Sequence, residues 1–199
     1  EIAEQVAVVD LLSSGRVDLG MGAGYRVPEF ELFGADIDRR YSTADERARE
    51  LRRIWAEGRV TPAPVQERLP IWMGYQNAKG ARRAGLMGER LLSPRADLWP
   101  VYREGLIEGG HDPAIGQMGG LIQGWVSEDP EADWPVVSKH LAYQVEEHLR
   151  FAAEARPVAI PPKVDVEALR RNSAGSQMGQ FMLATPGQAA TRIKSRITG

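Results

Sequence analysis

The sequence predicts an α/β fold, with a parallel sheet inside and helices packed outside it. Three observations lead there. First, helical and strand patterns alternate: α1–12, β17–22, α43–57, β69–73, α78–87, β90–93, α96–108, β119–126, α129–155, β180–184, α186–197. Strands that each return through a helix lie parallel. Second, Leu69-Pro-Ile-Trp-Met73 is a continuous apolar run, as in a strand buried on both faces. Third, glycines and polar side chains gather after the strands, where (β/α)8 barrels and open doubly wound sheets both place their sites. The pattern leaves those two architectures open. A closed barrel takes about 250 residues, so on that architecture the 199 residues supply only part.

In chain order, Ile2, Val6, Val9 and Leu12 fall on one face of a first helix that lacks a capping side chain and ends at Ser13-Ser-Gly15. A strand follows at 17–22 and runs into Gly20-Met-Gly-Ala-Gly-Tyr25. The dinucleotide fingerprint Gly-x-Gly-x-x-Gly fails here. Its last position is Tyr25, and Pro28 follows in what reads as loop. The glycines then serve either a crowded turn or a strand end where a flat ring or phosphate touches backbone. Residues 26–42 read as a long ordered loop, and such loops at strand ends tend to carry function. Thr43-Ala-Asp-Glu46 has the form of a capping box opening the next helix. Ala44, Ala48, Leu51, Ile54 and Trp55 form that helix's buried stripe, and Gly58 stops it.

The strand at 69–73 leads through Gly74, Tyr75, Gln76 and Asn77 into a helix from Ala78. The first turn of a helix has N–H groups with no partner, and its dipole favours an anion. This turn is therefore the candidate phosphate site, with Arg82 and Arg83 as charges that add to it if they point that way. The alternative is a tight turn whose glycines are steric necessities. Beyond it come the strand at 90–93, the helix at 96–108, a strand over 119–126, and a long helix opened by Asp129-Pro130. His140 and His148 on that helix read as surface or packing residues. Residues 157–179 read as an irregular insertion or lid around one short helix at Val166–Arg171. Thr185-Pro-Gly-Gln188 is a proline-primed capping box for the last helix.

A net charge of −2 provides no field for nucleic acid or a membrane surface. The absence of cysteine excludes disulfides, zinc ribbons and thiol nucleophiles. No apolar stretch is long enough to span a bilayer and no secretory leader is visible, so a cytoplasmic location is expected.

Several stretches resemble the luciferase-like flavin-dependent oxidoreductases. They are Ser14-Gly-Arg-Val-Asp-Leu-Gly-Met-Gly-Ala-Gly-Tyr25, Glu29-Phe with Phe33-Gly and Arg39-Arg40, and Leu51-Arg-Arg-Ile-Trp55. Leu69-Pro-Ile-Trp-Met-Gly74 followed by Gly80-Ala-Arg-Arg-Ala-Gly85, and Ala184-Thr-Pro-Gly-Gln-Ala-Ala190, continue the likeness. The resemblance implies a (β/α)8 TIM barrel represented by about strands 4 to 8, one domain over 1–199, with the N-terminal strands and the C-terminal end outside it. It implies reduced FMN, or alternatively the deazaflavin F420, bound at the C-terminal strand ends. Gly74, Tyr75, Gln76, Asn77, Gly80 and Ala81 would cradle the phosphate, and Gly22, Gly24 and Tyr25 would lie against the ring or ribityl chain. The implied activity is monooxygenation of a small organic substrate with O2, or hydride transfer if the cofactor is F420. A homodimer, sometimes served by a flavin reductase, is implied as well. Two competing readings are a non-catalytic flavin or F420 carrier and a sugar-phosphate barrel enzyme using Lys79. No catalytic acid or base and no metal ligand is nominated.

Overall fold

The computed structural model describes residues 1–154, 164–171 and 181–195. Its elements are α1 (Ile2–Ser13), β1 (Leu19–Gly22), α2 (Val27–Leu32), α3 (Arg40–Ala56), β2 (Ile71–Gly74), α4 (Ala78–Leu86), β3 (Arg90–Leu92) and α5 (Trp99–Glu108). They continue with β4 (Met118–Gly119), β5 (Gly124–Val126), α6 (Pro130–Glu154), α7 (Val166–Arg171), β6 (Met182–Ala184) and α8 (Pro186–Lys194). Among the described residues all strand pairs are parallel, in a four-stranded sheet β1-β2-β3-β4 and a two-stranded sheet β5-β6. The chain divides into two compact units, residues 1–24 with 35–120, and residues 25–34 with 121–199.

In the first unit, one face of the sheet supplies Ile71, Met73 and Leu91, which are completely buried with Ala81, Ala84, Tyr102 and Leu106 of the covering helices. α4 and α5 meet backbone to backbone. A Cβ on Gly85 would sit on the carbonyl oxygen of Tyr102 and 2.7 Å from the Leu106 nitrogen. Gly85→Ala gains about 1 kcal/mol of helix propensity, but forcing backbone apart costs about 3 kcal/mol. A net loss of about 2 kcal/mol is expected in urea denaturation, and a stabilised variant would show that the helices simply slide.

The buried side of α1 differs from the predicted face. Ala3, Ala7 and Asp10 are buried, whereas Ile2, Val9 and Leu12 are 52–78% exposed. The reason is polar anchoring. Asp10 accepts hydrogen bonds from the Val65 and Gln66 amides at 2.8 and 3.0 Å and from the Gln66 side chain at 2.8 Å, and Trp55 Nε1 donates to the Ala3 carbonyl at 2.9 Å. Burial alone would raise the Asp10 pKa, but the bonds from Gln66 and Val65 outweigh it and hold the carboxyl below its ordinary value of 3.8. Asp10 therefore stabilises the fold at neutral pH, and its contribution is lost as pH falls through the depressed folded pKa. Wild type should exceed Asp10→Asn in denaturant stability at about pH 6, and the gap should close by about pH 2. A gap that persists in acid would mean that the charge contributes nothing.

Three further predicted boundaries change. Residues 26–42 are not plain loop: Pro28 in the first turn sets up α2, and a 3-10 turn at Ile37–Arg39 is capped by Asp36. None of the α2 residues is buried, so no apolar period marks it. The 3-10 turn runs straight into α3, which begins at Arg40, so Thr43 lies inside the helix and Thr43-Ala-Asp-Glu46 is not its cap. The strand expected over 119–126 is two strands in different sheets. Gly120 passes against Pro94 so closely that a Cβ there would stand 2.5 Å from the Pro94 Cα, and β4 stops before it.

In the second unit, Trp134, Leu141 and Val145 of α6 pack with Phe181 and Leu183. Met182 and Ala184 pack with Ala189 of α8. The Thr185–Gln188 capping box forms as predicted, with Pro186 in the first turn of α8. The short helix at Val166–Arg171 also forms. The remainder of the expected insertion at 157–179 lies outside the described residues, apart from Val164 and Asp165.

Candidate functional site

The candidate site is the turn between β2 and α4. Tyr75 is the first residue after the strand, and it points into the core, with no exposed surface. Its hydroxyl donates to Asp45 Oδ1 at 2.5 Å, and its ring meets Tyr41 edge-on at 5.7 Å. Burial first, and then the bond and charge of Asp45, push its pKa well above the ordinary phenol value, so it remains a proton donor. Gly80 rests against this ring: a Cβ there would lie 2.6 Å from the Tyr75 Cβ. Glycine at this position is therefore a packing requirement of the turn.

Asn77 caps α4, its side-chain oxygen accepting from the Gly80 amide at 2.8 Å. Gln76 is pinned at both ends of its amide. Its Nε2 donates to the Leu92 carbonyl at 3.2 Å, and its Oε1 accepts from Ser93 Oγ at 2.8 Å. Ser93 is buried, and Arg95 NH1 donates to the Gln76 carbonyl at 3.3 Å while pairing with Asp97. The side chains of the turn are thus committed to shaping it. What faces outward are the amides of Ala78 and Lys79, which have no acceptor within the helix. Ala81 is buried on α4.

Arg82 and Arg83 do not reinforce this turn as free charges. Arg82 pairs with Glu108, and Arg83 donates its Nε to Asp45 Oδ2 at 2.5 Å. Helical spacing sends both along the side of α4 toward neighbouring carboxylates. Lys79 is the exposed cation on the first turn, and residues 74–83 include no acidic side chain.

Gly22 lies beside Gly74 in the β1-β2 register, and Gly20 lies beside Trp72. A Cβ on either Gly20 or Gly22 would meet nothing within 4 Å. Alternation puts these two on the sheet face opposite Met21, leaving an open glycine strip next to the turn. Further along the same face, Trp72 donates to Asp18 at 2.7 Å and Arg90 pairs with Asp18 at 3.1 Å. Gly24 closes this part of the chain with a positive φ of 75°. Tyr25 belongs to the second unit, where its ring meets His148 at 5.2 Å, and neighbouring Arg26 stacks over Phe151 and pairs with Glu154. The structure thus brings Gly22, Gly74–Asn77 and Gly80–Ala81 into one neighbourhood of the first unit. His140 is exposed on α6, as expected of a surface residue.

Sequence reasoning missed Asp45, Ser93 and Arg95, all bonded to the turn. Ser93 and Arg95 stand just after the end of β3, and that position is the signal the sequence carries for them. Asp45 had none, since its partners Tyr75 and Arg83 lie 30 and 38 positions away. Among the described residues, no helix is long and apolar enough to cross a membrane.

Solved structures share the fold of this chain. The monooxygenase RslO1 from Streptomyces bottropensis shares the fold, with a TM-score of 0.68 at 20% identity, over 98% of this chain and 62% of that one. An F420-dependent secondary alcohol dehydrogenase, solved with an F420-acetone adduct, gives a TM-score of 0.63 at 20% identity, over 98% of this chain and 64% of its own. The coenzyme F420-dependent tetrahydromethanopterin reductase from Methanopyrus kandleri gives 0.61 at 17% identity, over 97% and 68%. The chain therefore spans 62–68% of the length of these structures. The luciferase-like monooxygenase family profile matches residues 1–195, nearly the whole sequence, and the chain belongs to that family.

Proposed function

We propose that this chain forms about strands 4 to 8 of a (β/α)8 barrel and that the protein is a flavin-dependent oxidoreductase. In this reading it is a monooxygenase using reduced FMN and O2 on a small organic substrate. The turn Gly74–Ala81 holds the cofactor phosphate, through the Ala78 and Lys79 amides and the Lys79 charge. The observation that carries the reading is this turn itself: a helix start held by Asn77 and Ser93, with no acidic residue of its own over 74–83, beside an open glycine strip. A phosphate ester fits such a turn because it needs only donors and positive potential. Bound FMN would supply the electrons for oxygen activation, and F420 would supply a hydride instead. The protein's own part is to hold the phosphate, to let the ring lie flat on Gly20 and Gly22, and to exclude water.

F420 is the alternative, favoured by the two F420-dependent enzymes among the similar structures. A cofactor carrier without catalysis shares the same turn and is separated by turnover alone. The protein is further read as a homodimer, for which Ile2, Val9 and Leu12 of α1 provide exposed apolar surface, and as a client of a flavin reductase when it uses FMN.

The test is a fluorescence titration with FMN and with F420, repeated on Ala78→Asp. Position 80 is unsuitable for such a test, because any Cβ there strikes Tyr75. Micromolar binding of one cofactor, lost in Ala78→Asp, is expected. Failure of the wild-type protein to bind either would remove the function and leave the fold.

A further inference from the structure

We propose that Asp45, Tyr75 and Arg83 are positioning residues for the cofactor's phosphate arm, a buried network that sets the shape of the turn in front of α4. This inference rests on the phosphate reading above and goes beyond it. Asp45 on α3 is buried, 3% exposed, and receives two donors from two other elements. Its Oδ1 takes the Tyr75 hydroxyl at 2.5 Å from the end of β2, and its Oδ2 takes Arg83 Nε at 2.5 Å from α4. One carboxylate thereby ties the end of a strand and the following helix to a third element. The turn that joins strand to helix, residues 75–77, is held at both ends by it.

The Tyr75 ring transmits this constraint to the backbone. Gly80 packs on it without room for a Cβ, and the Gly80 amide is fixed in turn by Asn77. A shift of the ring shifts the first turn of α4, and with it the Ala78 and Lys79 amides. Charge-assisted hydrogen bonds weaken steeply with distance and angle, so the phosphate would register tenths of an ångström that the fold tolerates.

Stability alone does not account for these residue types. A buried carboxylate with an arginine partner is often no more stable than an apolar cluster of the same volume. Phenylalanine in place of Tyr75 would bury its ring at a smaller desolvation cost. Direction is what the polar network adds: with Arg83 fixing the carboxylate, the bond from Tyr75 to Asp45 permits one orientation of the ring, where an apolar contact permits a range. Three other bonds on the turn, Gln76 to the Leu92 carbonyl, Ser93 to Gln76 and Arg95 to the Gln76 carbonyl, act from the β3 side. On the α3 side the ring meets Asp45, which takes its hydroxyl, and the edge of Tyr41.

The experiment compares FMN with riboflavin, which lacks the phosphate, in fluorescence titrations of wild type, Tyr75→Phe, Arg83→Lys and Ala78→Asp. Tyr75→Phe and Arg83→Lys are expected to weaken FMN about 10-fold while leaving riboflavin unchanged, a split that general loosening of the fold does not produce. If F420 is the cofactor, the same comparison uses F420 and its phosphate-free deazaflavin. Equal losses for both ligands would overturn the inference, as would unchanged FMN binding in both variants beside a weakened Ala78→Asp. Should Tyr75→Phe fail to fold, Arg83→Lys decides, because Arg83 is partly exposed and lysine keeps one bond to Asp45. A wild-type protein that binds FMN or F420 no tighter than its phosphate-free analogue overturns the phosphate reading and this inference together. That outcome shows before any variant is made.

Discussion

Ala78→Asp is expected to weaken FMN or F420 binding about 100-fold without lowering the stability of the fold. Ala78 is the first residue of α4 and is exposed. Side chains on a helix tilt toward its N-terminus, so a carboxylate there would stand in front of the amides assigned to the phosphate. At about 5 Å and an effective dielectric of about 20, the repulsion amounts to roughly 3 kcal/mol. The same aspartate is favourable for the helix, because a negative charge in the first turn stabilises it by about 0.5 kcal/mol. The two effects run in opposite directions, which makes the variant diagnostic. Binding should fall while the melting temperature holds or rises. If both fall together, the turn has been damaged rather than recharged. If binding holds, the phosphate lies elsewhere.

Arg52→Ala should cost about 3–5 kcal/mol of folding stability, a large share of the roughly 5–15 kcal/mol that a domain possesses. Arg52 grips Glu89 with two bonds, Nε to Oε1 at 2.7 Å and NH2 to Oε2 at 2.5 Å, and its NH1 donates to the Leu69 carbonyl at 2.6 Å. The Glu89 side chain is only 4% exposed, and its second partner, Arg68, is 57% exposed at 3.2 Å. Without Arg52 the carboxylate stays buried with one weak, solvated partner. The large loss comes from that stranded charge, more than from the worth of the pair itself. Removing both charges tests the point: Arg52→Met with Glu89→Met should recover most of the loss in urea denaturation. A single-variant loss below about 1 kcal/mol would mean that water reaches Glu89.

The chain's own pattern was enough for the alternation of helices and strands, for the β2–turn–α4 unit, and for the capping box of α8. These are decided within a few residues. Apolar runs, Asn77 ahead of a helix, and Pro186 at a first turn act through local backbone geometry, so they can be read without knowing the neighbours. The luciferase-like family was legible for the same reason, since its marks are short and stand in order along the chain. The candidate turn was legible as a location.

What the side chains of that turn do was decided only by tertiary structure. The family resemblance counts Tyr75 among the residues of the phosphate cradle. The fold buries it, because Asp45, thirty positions earlier on α3, offers it an acceptor. The chain leaves open whether Arg82 and Arg83 point at the turn, and the fold pairs them with Glu108 and Asp45. The face of α1 turned inward follows polar bonds from Gln66 and Trp55 rather than its largest apolar residues. In each case the partner is distant in sequence. Buried polar groups must find one wherever the fold brings it. Local sequence thus determined where the elements and the turn lie. Long-range hydrogen bonding determined which side chains shape the turn.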